Sequence, residues 1–101
     1  MSLHGEYKSP GGKLVVVDLK VADGRLTGVE VSGDFFLEPA DALDDIVNAL
    51  EGAPANAEEA QLAELIRNGL REDAELIGFD PESVAVAVRR AVTDGSPRER
   101  A

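Results

Sequence analysis

The sequence predicts a small α+β domain: a three-stranded antiparallel sheet with about three helices packed on one of its faces. Three observations predict this fold. Alternating apolar residues flank an Asp-Gly pair in residues 10–37, three later segments have helical apolar spacing, and the length of 101 residues suits one domain. We expect a leader over residues 1–3, a single domain over residues 4–95 and a disordered polar tail over residues 96–101.

Composition excludes several classes of function. The chain has no cysteine, which excludes disulfides, thiolate zinc sites and cysteine-ligated iron–sulfur clusters. It has no run of about 18 apolar residues and no signal-like segment, so we expect a cytoplasmic protein that does not cross a membrane. The net charge of −10 falls entirely in residues 34–101. Such a surface repels phosphate, so we expect neither nucleic acid nor a membrane as partner.

Strand patterns dominate residues 4–33. A short alternating segment over residues 4–8 predicts an edge strand, and residues 13–22 predict a long strand with four apolar side chains on one face. These side chains are Val15, Val17, Leu19 and Val21. Asp23-Gly24 is the preferred pair for a type I′ hairpin turn, which would lead into a third strand starting at Arg25.

The third strand contains a change of phase. Leu26 has the opposite parity to Val29 and Val31, so a regular strand would expose one set to water. An isolated glycine within a strand pattern is typical of a bulge. We therefore expect a β-bulge at Thr27-Gly28 that returns all three apolar side chains to one face.

Three segments after residue 37 have helical apolar spacing. The first opens at Glu38-Pro39, the second at a capping box spanning Asn56–Glu59, and the third at Asp80 with Pro81 next. The apolar positions are Leu43, Ile46, Val47 and Leu50, then Leu62, Leu65, Ile66 and Leu70, then Val84, Val88, Ala91 and Val92. Residues 71–79 predict a connection in which Leu76, Ile77 and Phe79 pack onto the core.

Residues that could carry chemistry are few. His4 is the one histidine and we expect a solvated side chain, while the carboxylates Asp41, Asp44 and Asp45 are explained by the dipole at the start of the first helix. The turn over residues 9–13 could cradle an anion, but it precedes a strand where a P-loop precedes a helix. We therefore predict no catalytic residue and no metal ligand, and a binding module in preference to an enzyme.

Four short segments carry a family resemblance: PGGKLV (10–15), DGR (23–25), SGDFFLEP (32–39) and GFDPESV (78–84). With them the chain resembles, from His4 to about Val92, the accessory domain of lipoate protein ligases. This is the C-terminal domain of single-chain ligases and a separate small subunit of bipartite ligases. The fold of that family is similar to iron–sulfur scaffolds, which place cysteines just after the equivalent hairpin. Here that region reads Gly33-Asp34-Phe35-Phe36, so the cluster chemistry is lost.

The resemblance implies a noncatalytic accessory subunit of a bipartite lipoate protein ligase. The catalytic subunit would bind ATP, magnesium and lipoate, form lipoyl adenylate with help from this chain, and transfer the lipoyl group to a lysine of an acceptor protein. We expect the catalytic subunit as direct partner and lipoyl-acceptor proteins as indirect ones. Lipoate, octanoate and a biotin-like acyl group are all compatible, since the acyl pocket would lie on the other subunit.

Two loops carry the residues that we assign to the partner-facing or active-site-facing patch. They are Lys8, Pro10, Gly11, Gly12, Lys13, Gly33, Asp34, Phe35 and Phe36. Turn formation by the glycines and core packing by the phenylalanines are the structural alternatives, and burial of both rings under the helices is the favoured interpretation of the pair.

Two other functions compete with the ligase subunit. One is a cysteine-free adaptor of the iron–sulfur or sulfur-transfer type that binds another protein. The other is a small hydrolase or isomerase that uses the carboxylates. An adjacent gene for a lipoate ligase catalytic domain that lacks its own C-terminal domain would favour the ligase subunit over both.

Overall fold

The computed structural model describes residues 3–93, and it has the predicted α+β architecture. In chain order the elements are β1 (Leu3–Lys8), β2 (Leu14–Ala22), β3 (Arg25–Gly33), β4 (Phe36–Glu38), α1 (Ala42–Leu50), α2 (Glu59–Gly69), β5 (Glu75–Ile77) and α3 (Pro81–Thr93). Strands β1, β2 and β3 form an antiparallel sheet in that order, and β4 and β5 form a second, two-stranded sheet that was not predicted. The expected tail and the first two residues of the expected leader lie outside the described residues.

The predicted hairpin is present. Asp23 and Gly24 have φ angles of 54° and 74°, as a type I′ turn requires at both central positions. Val15, Val17 and Leu19 of β2 are fully buried beneath the helices. Val21 was also expected on that buried face, but it is 42% exposed because the last three residues of β2 extend beyond the helical cover.

The predicted bulge is present one residue further along β3. Asp18 pairs with Glu30 and Lys20 pairs with Thr27, so the single residue Leu19 opposes both Gly28 and Val29. Gly28 has a φ of 59°, which glycine adopts without steric cost. The extra residue restores the phase, since Leu26, Val29 and Val31 are all buried.

Helix α3 packs directly on β1 and β2, and small residues make the close approach possible. A Cβ atom at Gly5 would lie 2.2 Å from the carbonyl oxygen of Ala87 and 2.5 Å from the backbone nitrogen of Ala91. The predicted start is confirmed, because Pro81 is the first helical residue and the Ser83 N–H donates to Asp80 Oδ1 at 2.8 Å.

Helix α1 starts later than its sequence pattern indicated. Residues 36–38 pair as strand β4 with residues 75–77, and the helix begins at Ala42. Glu38 and Pro39 are joined by a cis peptide bond. The predicted apolar face of α1 is correct, with Ile46 and Leu50 fully buried. Gly52, with a φ of 81°, follows the C-terminal cap as predicted.

Helix α2 also starts later than expected. The Glu58 N–H donates to Gln61 Oε1 at 3.0 Å, so the cap lies two residues beyond the Asn56 position that we predicted. The preceding turn is held to the hairpin, because the Ala55 N–H donates to the carbonyl of Gly24 at 2.8 Å. Leu65 was expected in the core, but it is 37% exposed. Across residues 3–93, no helix combines the length and apolarity needed to cross a membrane.

Candidate docking site

The predicted site residues meet at one end of the three-stranded sheet. Lys8 ends β1 opposite Leu14, the first residue of β2, and Val15 lies opposite Gly33, the last residue of β3. The loops after β1 and after β3 are therefore neighbours. We call the exposed members of this group the rim patch, which consists of Lys8, Pro10, Gly11, Lys13, Gly33, Asp34 and Phe36. Gly12 is half-buried and Phe35 is buried.

The loop after β1 is held by one backbone hydrogen bond within the loop and by another to Gly78. The Gly12 N–H donates to the Ser9 carbonyl, and the Lys13 N–H donates to the Gly78 carbonyl, both at 2.8 Å. A Cβ at Gly78 would lie 2.5 Å from Cγ of Lys13. The methylene chain of Lys13 thus packs against Gly78, which has no side chain, and the ammonium group lies at the surface.

The start of the second loop requires glycine. Gly33 has a φ of 149°, and a Cβ there would lie 2.1 Å from the carbonyl oxygen of Leu14. That same oxygen accepts the N–H of Asp34 at 3.1 Å. The backbone contact holds Asp34 at the end of the sheet with its side chain exposed.

The two adjacent phenylalanines have opposite environments. Phe35 is 9% exposed and stacks on Phe79, with ring centroids 4.0 Å apart and an interplanar angle of 25°. It packs in the core and is not on the surface, which corrects its assignment to the partner-facing patch. Phe36 is 68% exposed, so the favoured expectation that both rings are buried is wrong for Phe36.

The sequence did not reveal the side chain beside Phe36. Ile77 was expected to pack onto the core, but it lies opposite Phe36 in the β4–β5 pair and is 47% exposed. Leu37 and Leu76 form the next pair and pack against the core. The alternation of β5 was the available signal, but three residues are too few to define a period of two.

Two clusters of charged side chains away from the rim patch, around His4 and around Arg71, form ion pairs. His4 Nδ1 lies 2.7 Å from Asp18 Oδ1, and His4 Nε2 lies 2.7 Å from Glu6 Oε2. A hydrogen bond with Glu6, and a smaller contribution from the hydrogen bond with Asp18, raise the pKa of His4 above its usual value. His4 is therefore held by one carboxylate of its own strand and one of β2, whereas we expected a solvated side chain.

A second cluster joins helix α1 to the end of α2. Arg71 Nε donates to Asp45 Oδ2 at 2.7 Å, and Arg71 Nη1 donates to Asp41 Oδ1 at 3.1 Å. The hydrogen bond from Arg71 lowers the pKa of Asp45. Among residues 3–93, no three histidine, aspartate or glutamate side chains are grouped so that they could hold a metal ion. Lys8, Lys13 and Asp34 take part in none of the ion pairs found in this part of the chain.

A shallow depression of about 500 Å³ lies elsewhere, beside the turn that the hairpin holds. Its lining residues are Pro54, Ala57, Ala60, Gln61, Glu64 and Leu65. This set pairs no nucleophile with a base, so the depression has no evident catalytic chemistry.

Comparison with known proteins identifies one structural relative. No family model matches the sequence, and no curated protein matches it. A chain of a solved structure matches with a TM-score of 0.71 and 25% sequence identity, and the alignment covers 88% of this chain and 96% of that chain. That structure is described as an archaeal lipoylation system, a bi-partite lipoate protein ligase and its E2 lipoyl domain from Thermoplasma acidophilum. The fold and the sequence segments therefore agree: the chain resembles the accessory domain of lipoate protein ligases.

Proposed function

We propose that this chain is the noncatalytic accessory subunit of a bipartite lipoate protein ligase. The observation that carries the proposal is the structural match to a chain of an archaeal bipartite ligase system, which extends over 96% of that chain. The match thus accounts for nearly all of a chain of similar size. The four sequence segments point to the same family independently of the fold.

The chemistry of the described residues supports a noncatalytic role. His4 is held between two carboxylates, and Arg71 is held by two more, which is the arrangement of structural ion pairs. A general base needs access to a substrate proton, and a nucleophile needs such a base beside it. The exposed charged side chains of the rim patch, Lys8, Lys13 and Asp34, suit contact with another protein.

The accessory subunit acts in this proposal by selective binding. The catalytic subunit holds ATP, magnesium and lipoate and exchanges between arrangements that do and do not support adenylation. A partner that binds the competent arrangement more tightly raises its population, by no more than the difference in affinity allows. This chain contributes a rigid platform, since Lys13 and Asp34 are both held by backbone hydrogen bonds to neighbouring elements. The catalytic subunit transfers the lipoyl group to the lysine of the acceptor protein.

Reconstitution from purified subunits tests the proposal. The catalytic subunit is mixed with ATP, magnesium and lipoate, with and without this chain, and pyrophosphate release is measured. A second assay supplies preformed lipoyl adenylate and measures transfer to the acceptor domain. We expect adenylation to depend on this chain. Adenylation at the same rate in its absence would overturn the proposal.

Single variants test the site assignment within the same assay. Lys13→Ala and Asp34→Ala should weaken complex formation or adenylation while leaving the thermal unfolding midpoint close to that of the wild type, because both side chains are exposed. Lys20→Ala is the matched control, since Lys20 is exposed near the opposite end of the sheet. Full activity of both rim variants would remove these residues from the site.

A further inference from the structure

The outward face of the β4–β5 pair is an apolar surface without cover. Phe36 and Ile77 lie directly opposite each other and are 68% and 47% exposed. Residues directly opposite in an antiparallel pair have their side chains on the same face and in contact distance. Two of the four large hydrophobic side chains exposed among residues 3–93 are therefore adjacent, and one of them, Phe36, belongs to the rim patch.

The fold of this chain does not require that surface to be apolar. Leu37 and Leu76 occupy the inward face of the same two strands and pack against the core. Phe35 already fills the space beside Phe79. Phe36 and Ile77 add apolar area on the side away from the core, where polar residues would serve a solvated strand pair equally well.

Two carboxylates lie on the same face as Phe36 and Ile77, two pairs further along the strands. Glu38 lies opposite Glu75, and both are exposed. Like charges directly opposite each other in an antiparallel pair are unfavourable. Neither carboxylate takes part in an ion pair within the described part of the chain. A partner that brings positive charge to this position would remove the repulsion.

We propose that the outward face of β4 and β5 is the docking contact with the large subunit of the ligase, and that the matching surface there is an apolar pocket flanked by lysine or arginine side chains. This inference rests on the proposed function and adds Ile77, Glu38 and Glu75 to the site. A second copy of this chain is a poorer occupant. A symmetric contact through the same face would bring further carboxylates together between two chains of charge −10.

Binding measurements with the purified large subunit test the contact. Phe36→Ser and Ile77→Ser should each raise the Kd by at least about tenfold, because aromatic and aliphatic anchors dominate such interfaces. Val21→Ser and Leu65→Ser are the matched controls, since these side chains are 42% and 37% exposed and lie elsewhere. Circular dichroism confirms that each variant is folded before its affinity is compared.

Charge reversal tests the chemistry of the partner surface. Glu38→Lys and Glu75→Lys should weaken binding and should reverse or flatten the loss of affinity that added salt causes in the wild type. Glu64→Lys, on the exposed face of α2, is the control for a change in net charge. Equal effects of Glu64→Lys and Glu38→Lys would overturn the basic character assigned to the partner.

The outcomes separate this inference from the proposed function. If the wild-type chain is needed for adenylation but Phe36→Ser and Ile77→Ser bind as well as Val21→Ser, the docking face is wrong and the function stands. If the large subunit forms the adenylate without this chain, the function fails. A concentration-dependent dimer of the isolated chain, measured by light scattering and abolished by Phe36→Ser, would replace the ligase with a second copy as the occupant.

Discussion

The two ends of the three-stranded sheet differ in how far the rest of the chain covers them. At the hairpin end, the connection between α1 and α2 folds back and satisfies the edge of β3. The Gly52 N–H donates to the carbonyl of Leu26, and the Leu26 N–H donates to the carbonyl of Ala53, both at 2.8 Å. Glu51 Oε1 accepts the N–H of Val29 at 2.6 Å, beside the bulge. The chain covers its own edge there, as native sheets usually do.

At the other end, the loops are equally well held but an apolar surface is left open. Lys13 and Asp34 are held by backbone hydrogen bonds to Gly78 and Leu14, so both loops are tied to neighbouring elements. Phe36 and Ile77 nevertheless face solvent. The difference shows that exposure at this end does not come from loose packing. An ordered apolar surface beside a closed core is the feature that we associate with a partner.

The largest expected effect separates the two phenylalanines. Phe35→Ala should lower the free energy of unfolding by about 4 kcal/mol, because it empties a buried aromatic stack with Phe79. Phe36→Ala, its matched control, should change it by less than about 0.5 kcal/mol. Urea denaturation followed by circular dichroism measures both. A loss of about 4 kcal/mol in both variants would show that Phe36 also packs in the core and that this end of the sheet has no exposed apolar surface.

The next effect is expected in β1, under α3. Gly5→Ala should lower the free energy of unfolding by about 3 kcal/mol, because its Cβ would meet backbone atoms of Ala87 and Ala91 at 2.2 and 2.5 Å. Gly11→Ala has open space around the new methyl group and a φ of 76°, so its cost is about 1 kcal/mol. Thermal unfolding compares the pair. Equal losses would mean that α3 can move away from the sheet without penalty.

A smaller effect is expected at the covered hairpin end. Glu51→Ala removes the acceptor for the Val29 N–H and should lower the free energy of unfolding by about 1.5 kcal/mol. Glu51→Gln keeps an acceptor oxygen and should lose less. Hydrogen exchange at the Val29 amide reports on the contact directly. If exchange there is unchanged in Glu51→Ala, the side chain does not close this edge.

The smallest effect concerns pH and the outer face of the sheet. The pKa of His4 is raised in the folded state by Glu6 and Asp18, so its contribution is complete below the unfolded pKa of about 6.5 and is lost as pH rises through the folded value. We expect wild-type stability to fall by less than about 1 kcal/mol over that range, since both partners are partly exposed. His4→Gln should flatten this part of the stability profile. A profile that keeps its slope in His4→Gln would assign the titration elsewhere.

Sequence patterns were most informative where they were long or chemically specific. The nine residues of β2, the Asp-Gly turn and the Asp80-Pro81 start of α3 were each predicted correctly. They were less informative where two local signals competed. Proline at position 39 suggested a helix start, but strand pairing of residues 36–38 with residues 75–77 delayed the helix by several residues. Asn56 suited a cap, but the turn before it is held by the hairpin, so Glu58 takes that position.

For the candidate site too, the sequence predicted some features and left others open. The sequence placed the two loops of the site directly after the first and the third predicted strands. Antiparallel pairing then brings Lys8, Lys13 and Asp34 to the same end of the sheet. It could not show which phenylalanine enters the core, because alternation gives opposite directions without saying which direction is inward. It could not show Ile77 as the neighbour of Phe36, since the two are 41 positions apart and three-residue strands have no readable period.

The sequence by itself determined the fold class, the hairpin with its bulge and the order of the helices, because each depends on contacts or periods within a short stretch of chain. Only the tertiary structure decided which apolar side chains remain outside the core. That outcome depends on the pairing of β4 with β5 and on the surface that α3 and the sheet cover between them. Local propensity carries no record of such long-range pairing, and the exposed Phe36–Ile77 pair is its product.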